Sequence, residues 1–406
     1  MANQFASTSL AATLSNLKNW YAGPIVSQFN DEMPFYREVE KGKEKFAGLQ
    51  VVRAMKVRRN QGIGATSDGG VLPAIGVQTT INAQITAKLN YLRFGVTGPM
   101  IKASQGDKAA FVSQTSYEME QGLNDLKNDV NRQLFWDGSG DLALVNAAAV
   151  ASTSIVVKGR ESTEDGSKYV GDAVGMVIDI LDSNGAYKAQ GVSITATSGT
   201  TLCTLTLSSA VTVAADDVVV RSGSYNNEVQ GLLYTLDGGT STIYGIDRSA
   251  YQVTQGNVVN ASGGQLTLNL MQQAYNQGKV RGGAKYDVFY CDYDSERFYN
   301  KLLIADKRYI GTVKGDGTFS SKTGSYLEFA GLPLVPDKDS PQRFWFLDSK
   351  TWKKYVLSEL EWADESGSQY IAQTSTDAYE ARLRLFFNMF CEKASANVCL
   401  KNYISP

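Results

Sequence analysis

The stretch that most constrains this chain is an alternation. Val77, Ile81, Ala83, Ile85, Ala87, Leu89 and Tyr91 interleave with Gln78, Thr80, Asn82, Gln84, Thr86, Lys88 and Asn90. A period of two places one set on one face of an extended strand, and here it persists for some fifteen residues. An ordinary strand has about five or six. Upstream, Leu49 to Arg59 is a second extended segment, with Val51, Met55 and Val57 on one side. Between the two lie Gly62, Gly64, Gly69 and Gly70 with Ser67 and Asp68, a composition of turns. The whole predicts a long two-stranded ribbon with a mobile end. Isolated hairpins are marginal, and open edges pair readily with another chain. Such a ribbon packs on its own body or reaches a neighbouring subunit, and the second choice explains its length better.

Through Gly95, Gly98 and Pro99 the ribbon leads into a helix predicted from Asp107 to Trp136. Val112, Met119, Leu123, Leu126, Val130 and Leu134 recur at helical spacing and form one stripe. Glu118, Glu120, Asp125, Lys127, Asp129 and Arg132 fall mostly off it and are expected to stay wet. Asp107 suits the N-cap and Gly138 the left-handed C-terminal position. Gly122 costs about 1 kcal/mol relative to Ala, so packing must hold the helix there. At about 1.5 Å per residue the helix is roughly 45 Å long. Taken alone, it would also suit the core of an α/β enzyme.

The remaining segments read as attachments. Residues 1–48 form an arm, with a short amphipathic helix through Leu10, Leu14, Leu17 and Tyr21, a second piece through Ile25 and Phe29, and a charged, exposed run from Glu38 to Lys45. Residues 141–224 turn to Thr, Ser, Val, Ala and Gly, with β-type runs at Thr153–Lys158, Val174–Leu181, Val192–Thr197, Thr201–Leu207 and Val218–Arg221. Turn signals separate them, and a small inserted barrel or sandwich fits. Residues 225–364 are mixed: a helix from Thr267 ending at Gly278, a strand Tyr286–Cys291, a helix capped by Asp294, a hairpin near Lys314–Gly317, then the strands Phe344–Leu347 and Tyr355–Trp362. From Ala378 to Tyr403 one or two long strands are expected to close against the helix.

Composition narrows function. The 406 residues carry 39 basic and 41 acidic side chains, which disfavours a strongly basic nucleic-acid binder. Four cysteines, Cys203, Cys291, Cys391 and Cys399, form no C-x-x-C pair and read as reduced core thiols. No secretory signal or membrane-spanning run is expected. The chain has no histidine, which removes Ser-His-Asp and Cys-His catalysis and histidine-ligated metals together.

The chemical motifs are weak. Gly62-Ile63-Gly64 opens like a dinucleotide fingerprint, but Ser67 replaces its third glycine and no helix start follows. Ser321-Lys322-Thr323 lacks the glycine of a phosphate loop. Asp292, Asp294 and Glu296 lack the glycine and distal glutamate of a calcium loop and suit a helix N-terminus. No catalytic residue, cofactor or metal site is expected. The basic cluster Arg53, Lys56, Arg58 and Arg59 has no interleaved aromatics for base stacking. It is expected to pair with acidic residues such as Glu118, Glu120 and Asp125 on the helix of the next subunit, where Arg132 also belongs to the charged face.

The order of parts resembles the major capsid protein of tailed bacteriophages, whose shell fold is shared with encapsulins and the herpesvirus capsid floor. Leu92-Arg93-Phe94-Gly95 through Trp136-Asp137-Gly138 looks like the end of that family's extended loop and its spine helix. Phe344-Trp345-Phe346-Leu347-Asp348 with Thr351-Trp352, and Thr376-Asp377-Ala378-Tyr379-Glu380-Ala381-Arg382, look like its closing segment. The resemblance implies an α+β fold with an N-terminal arm (1–48), an extended loop (49–100), a peripheral domain with the spine helix (101–140 and 365–406), an inserted β domain (141–224) and an axial domain (225–364). It further implies a non-enzymatic protein that self-assembles as hexamers and pentamers into an icosahedral capsid around double-stranded DNA. Portal, a separate scaffolding or decoration protein, and the packaged double-stranded DNA by non-specific contact would be partners, with assembly in the host cytoplasm and residence in the virion. No crosslinking Lys–Asn pair is identified. An encapsulin-like compartment and a histidine-independent enzyme are the alternatives.

Overall fold

In the computed structural model the described residues are 33–97, 108–239, 241–307, 327–363, 370–372 and 377–406. The helical arm around Leu10–Tyr21, the Asp107 cap, the Lys314–Gly317 hairpin and Ser321–Thr323 lie outside them. The fold is α+β, and the chain divides into two compact units. One comprises the described parts of Met1–Arg53, Gln84–Leu134 and Lys353–Phe390, the other those of Ala54–Ala83, Phe135–Trp352 and Cys391–Pro406.

The first unit is a sheet packed on the long helix. Strand Ala378–Cys391 pairs antiparallel with Lys88–Thr97, in register from Ala378 opposite Thr97 to Phe387 opposite Lys88. Trp352–Trp362 and Tyr370–Ala372 complete the sheet, and Glu40–Lys41 adds a parallel edge beside Lys353 and Lys354. A short helix, Pro34–Glu38, begins on proline, whose missing N–H is surplus at a first helical position. It buries Phe35 and Tyr36. Tyr36 meets Phe387 edge-on at 5.3 Å, and Lys354 Nζ donates to the Tyr36 carbonyl at 2.6 Å.

The helix spans Lys108–Phe135 and buries Met119, Leu123, Leu126, Val130 and Leu134, the stripe the periodicity marked; the Val112 side chain is not among those described. Gly138 is left-handed at φ 80°. Packing also explains Gly122: a Cβ there would sit 2.9 Å from the Phe94 ring and 3.4 Å from Leu92. The strand approaches the helix backbone at this point, which offsets glycine's low propensity. The charged face differs from expectation. Lys127 and Arg132 are each only 2% exposed, Arg132 held by Asp129 at 3.1 Å: every helix residue from Val130 to Phe135 is buried, while Asn124, Asp125 and Asn128 stay exposed.

The ribbon is a two-stranded sheet of Gln50–Arg58 and Thr79–Thr86. It is shorter than the alternation implied. The run from Val77 to Tyr91 is two strands that break at Ala87, whose amide donates to the Leu49 carbonyl. The buried parity reverses there. Ala83, Ile85 and Ala87 are buried, whereas Leu89 and Tyr91 are 41% and 53% exposed. Asn90, Leu92 and Phe94 face inward instead, with Gln133 Nε2 donating to Asn90 Oδ1 at 3.0 Å.

In the second unit six strands close a barrel, in the order Val218–Arg221, Asp141–Val145, Ala149–Lys158, Cys203–Val213, Tyr187–Ser198 and Val177–Leu181. Closure leaves no unpaired edge, which suits a small β domain of Thr, Ser and Val. Its core includes Val145, Ile155, Val157, Ile178, Ile180, Ile194, Leu205 and Val219. Buried Asp179 accepts the amides of Gly191 (2.8 Å) and Gly223 (3.0 Å), satisfying the backbone where the strands bulge. Arg160 lies over the Trp136 ring at 3.9 Å and pairs with Asp137 and Asp141, while Arg343 joins Glu161 to Asp237.

A six-stranded sheet forms the rest, in the order Asn257–Asn260, Val398–Lys401, Arg343–Leu347, Val288–Cys291, Leu332–Pro336 and Glu328–Phe329. Its core is aromatic, with Phe289 stacked on Phe346 at 4.3 Å and Phe344 on Tyr403 at 5.1 Å. The C-terminal run therefore divides. Ala378–Cys391 joins the sheet beside the long helix, but Val398–Lys401 pairs with Arg343–Leu347, so only the first strand closes where expected. The helix predicted to stop at Gly278 runs from Leu268 to Gly282 and ends on left-handed Gly283. Gly278 and Gly282 serve close approach, since a Cβ would lie 2.0 Å from Tyr286 Oη at the first and 2.1 Å from the Ser395 carbonyl at the second. All four cysteines are free and buried.

Candidate assembly surfaces

Between Arg58 and Thr79 the backbone forms neither strand nor helix, only turns, with Gly70 N donating to Ser67 O at 2.9 Å. Gly62-Ile63-Gly64 is thus a ribbon tip, with no helix behind it to hold a phosphate. The tip is apolar as well as glycine-rich: Ile63, Val71, Leu72, Ile75 and Val77 are 78–100% exposed. Five large apolar side chains this exposed within one loop suit a surface that another body covers. Ile63, Val71, Leu72 and Ile75 follow no strand or helix period among the glycines of the tip, so no local pattern in the sequence groups them.

The basic cluster at the ribbon base does not act as one group. Arg53 is paired with Glu44, and Arg58 lies 5.6 Å from the Tyr251 ring centroid. Lys56 and Arg59 are exposed. On the long helix Glu120 and Asp125 are exposed, while the Glu118 side chain is outside the described residues. Arg132 is buried against Asp129 and is withdrawn from any exposed charged face.

A second surface is the outer face of the first unit's sheet. Because the parity reverses at Ala87, Leu89 and Tyr91 stand beside Phe386 on this face, Tyr91 meeting it edge-on at 5.1 Å. Cations flank the patch. Glu380 accepts from Arg93 (2.7 and 2.8 Å) and from Arg382, and Glu361 accepts from Arg384 at 3.0 Å.

Asp292 is the helix cap, not Asp294: its carboxylate accepts from the amides of Asp294 (3.2 Å) and Ser295 (3.3 Å), and Ser295 Oγ bridges it to Tyr403. Burial pushes the Asp292 carboxyl up to about 6, against the lowering effect of these hydrogen bonds. Among the described residues no group of three or more Cys, Asp or Glu is arranged to hold a metal, and no helix is long and apolar enough to cross a membrane.

No family model matches the sequence, and no curated protein does. Solved structures do. A chain of the cyanophage A-1(L) capsid asymmetric unit superposes with a TM-score of 0.53 at 12% identity, covering 90% of each chain. The capsid of a native GTA particle matches with a TM-score of 0.47 at 9% identity, covering 91% of this chain and 89% of that one. The SrpI encapsulin of Synechococcus elongatus PCC 7942 matches with a TM-score of 0.41 at 9% identity, covering 91% and 88%. The first of these establishes the fold: this chain shares the α+β fold of a phage capsid subunit over nearly its whole length.

Proposed function

We propose that this chain is a shell subunit that self-assembles as hexamers and pentamers into an icosahedral phage capsid enclosing double-stranded DNA. The observation that carries the reading is the ribbon tip, five exposed apolar side chains held away from any core, on a fold shared with a cyanophage capsid chain. A second copy of the chain is the occupant proposed for the tip, because the ribbon strands already bury Val51, Met55, Ala83 and Ile85 and only the apolar side chains of the tip are left uncovered. Lys56 and Arg59 on the ribbon, and Glu120 and Asp125 on the helix, are the exposed charges proposed to guide the contact, with Arg53, Arg58 and Glu118 beside them. Portal and scaffolding proteins would be further partners, assembly would take place in the host cytoplasm, and the finished protein would reside in the virion. The subunit itself performs no catalysis in this reading.

Negative-stain microscopy of the purified protein tests the proposal. The full chain is expected to form closed shells or capsomers, and deletion of residues 60–76 is expected to abolish them while circular dichroism and melting temperature stay those of the parent. Normal particles from the deletion would show the tip to be dispensable and overturn its role.

A further inference from the structure

Four backbone segments of the second unit meet at one corner. The Lys285 amide donates to Asp348 at 3.0 Å, and the Ser349 amide donates to Asp287 at 2.9 Å. The Glu392 amide donates to the Thr351 carbonyl at 2.8 Å, and Asn397 Nδ2 bridges Thr351 Oγ1 (3.0 Å) and the Lys393 carbonyl (3.2 Å). The end of the Leu268–Gly282 helix abuts the Ser395 carbonyl through Gly282. Each segment brings an exposed cation: Arg281 from the helix, Lys285, Lys350 and Lys393 from the three loops.

None of these four makes an ion pair among the described residues. Three carboxylates share these segments: buried Asp348, which accepts the Lys285 amide, Asp287, which accepts the amide and the hydroxyl of Ser349, and half-buried Glu392. None of them reaches the four exposed cations, which stand further out. Lys279, two residues before Arg281, points to another side of the helix, where its Nζ donates to Tyr275 Oη at 2.6 Å, and it does not belong to the corner. The helix dipole accounts for basic residues in a last turn, so Lys279 and Arg281 alone would need no further explanation. It does not account for Lys285, Lys350 and Lys393, which lie on loops from separate parts of the chain.

We infer that this corner is a contact surface for the phosphate backbone of a DNA duplex. Long, exposed, unpaired side chains on four segments make a diffuse positive surface rather than a shaped pocket. That suits a partner whose charge repeats every ~1.7 Å along its axis, and gives binding without sequence preference. The inference deepens the shell reading by naming where the enclosed duplex touches the chain, and rests on it for the choice of DNA as the polyanion.

The test titrates a short fluorescent DNA duplex with the full chain at several salt concentrations. It compares the parent with the quadruple variant Arg281→Gln, Lys285→Gln, Lys350→Gln and Lys393→Gln, and with Lys285→Arg, Lys350→Arg and Lys393→Arg, which keeps the charge. The parent and the arginine variant are expected to bind with a steep loss of affinity as salt rises. The glutamine variant is expected to bind at least roughly tenfold more weakly, with a log–log salt slope shallower by about 0.9 for each phosphate that is no longer neutralised. Equal binding by parent and glutamine variant, or no binding by the parent at low salt, overturns the inference. Loss of shells with duplex binding retained also overturns it, because the corner would then be a subunit contact. A parent that binds through the corner yet never forms shells would instead refute the shell reading.

Discussion

Asp292 does two things at the start of the Tyr293–Lys307 helix. Its carboxylate caps the first turn, and its burial against Ser295 and Tyr403 makes the charge costly enough to lift its titration from 3.8 to about 6. A carboxyl whose folded value lies above its unfolded value favours the folded state while protonated, and that contribution disappears as pH rises from about 4 through about 6. Asp292→Asn retains an acceptor for the capping amides and carries no charge at any pH. Its melting temperature is expected to exceed the parent's by several degrees at pH 8 and to match it near pH 4. A deficit of the variant at pH 8 would mean that the charged cap is worth more than its desolvation costs. The sequence marked an acidic helix start here but put the cap at Asp294, because two aspartates two positions apart are equally good candidates until burial separates them.

At the scale of elements, the alternation and the stripe were both legible, and both were incomplete. Period two reports that a strand is extended with one face covered, but not which body covers it. At Ala87 the cover changes, and the same parity that was buried in the ribbon becomes exposed at Leu89 and Tyr91. The reading of the Leu268–Gly282 helix erred in the opposite way, by treating Gly278 as a stop. Glycine there and at Gly282 exists for contact with Tyr286 and Ser395, a reason that lies far away in sequence. Gly282→Ala would place a methyl group 2.1 Å from a backbone oxygen that cannot rotate away. We expect it to lower stability by about 2 kcal/mol or more, read as a lower denaturant midpoint with an unchanged slope. An unchanged midpoint would show that the helix end shifts freely.

At the scale of the molecule, the barrel is the part most separable by its topology. Its first and last strands are hydrogen-bonded neighbours, Val218 opposite Leu144 and Val219 opposite Ala143, and just outside them the Asn226 amide donates to the Ser139 carbonyl. The chain thus enters and leaves at one point, and the core between belongs to the barrel alone. A fragment of residues 139–226 is expected to fold by itself, with a β-type circular dichroism spectrum and a cooperative thermal transition. A non-cooperative melt would show that Arg343 and Trp136 are needed to hold the barrel shut.

By itself the sequence determined the elements whose signal is local: the helical stripe from Met119 to Leu134, the extended ribbon with its turn-rich tip, the short strands of the insertion, and the absence of histidine chemistry. These follow from periodicity, turn chemistry and composition, which act between near neighbours in the chain. Only the tertiary structure decided the point at which the alternation changes face, the burial of Lys127 and Arg132, the pairing of Val398–Lys401 with Arg343–Leu347, and the meeting of four cationic segments at one corner. Each depends on which distant segment lies alongside, and a side chain's exposure, charge state and partners are set by that neighbour rather than by its own place in the chain.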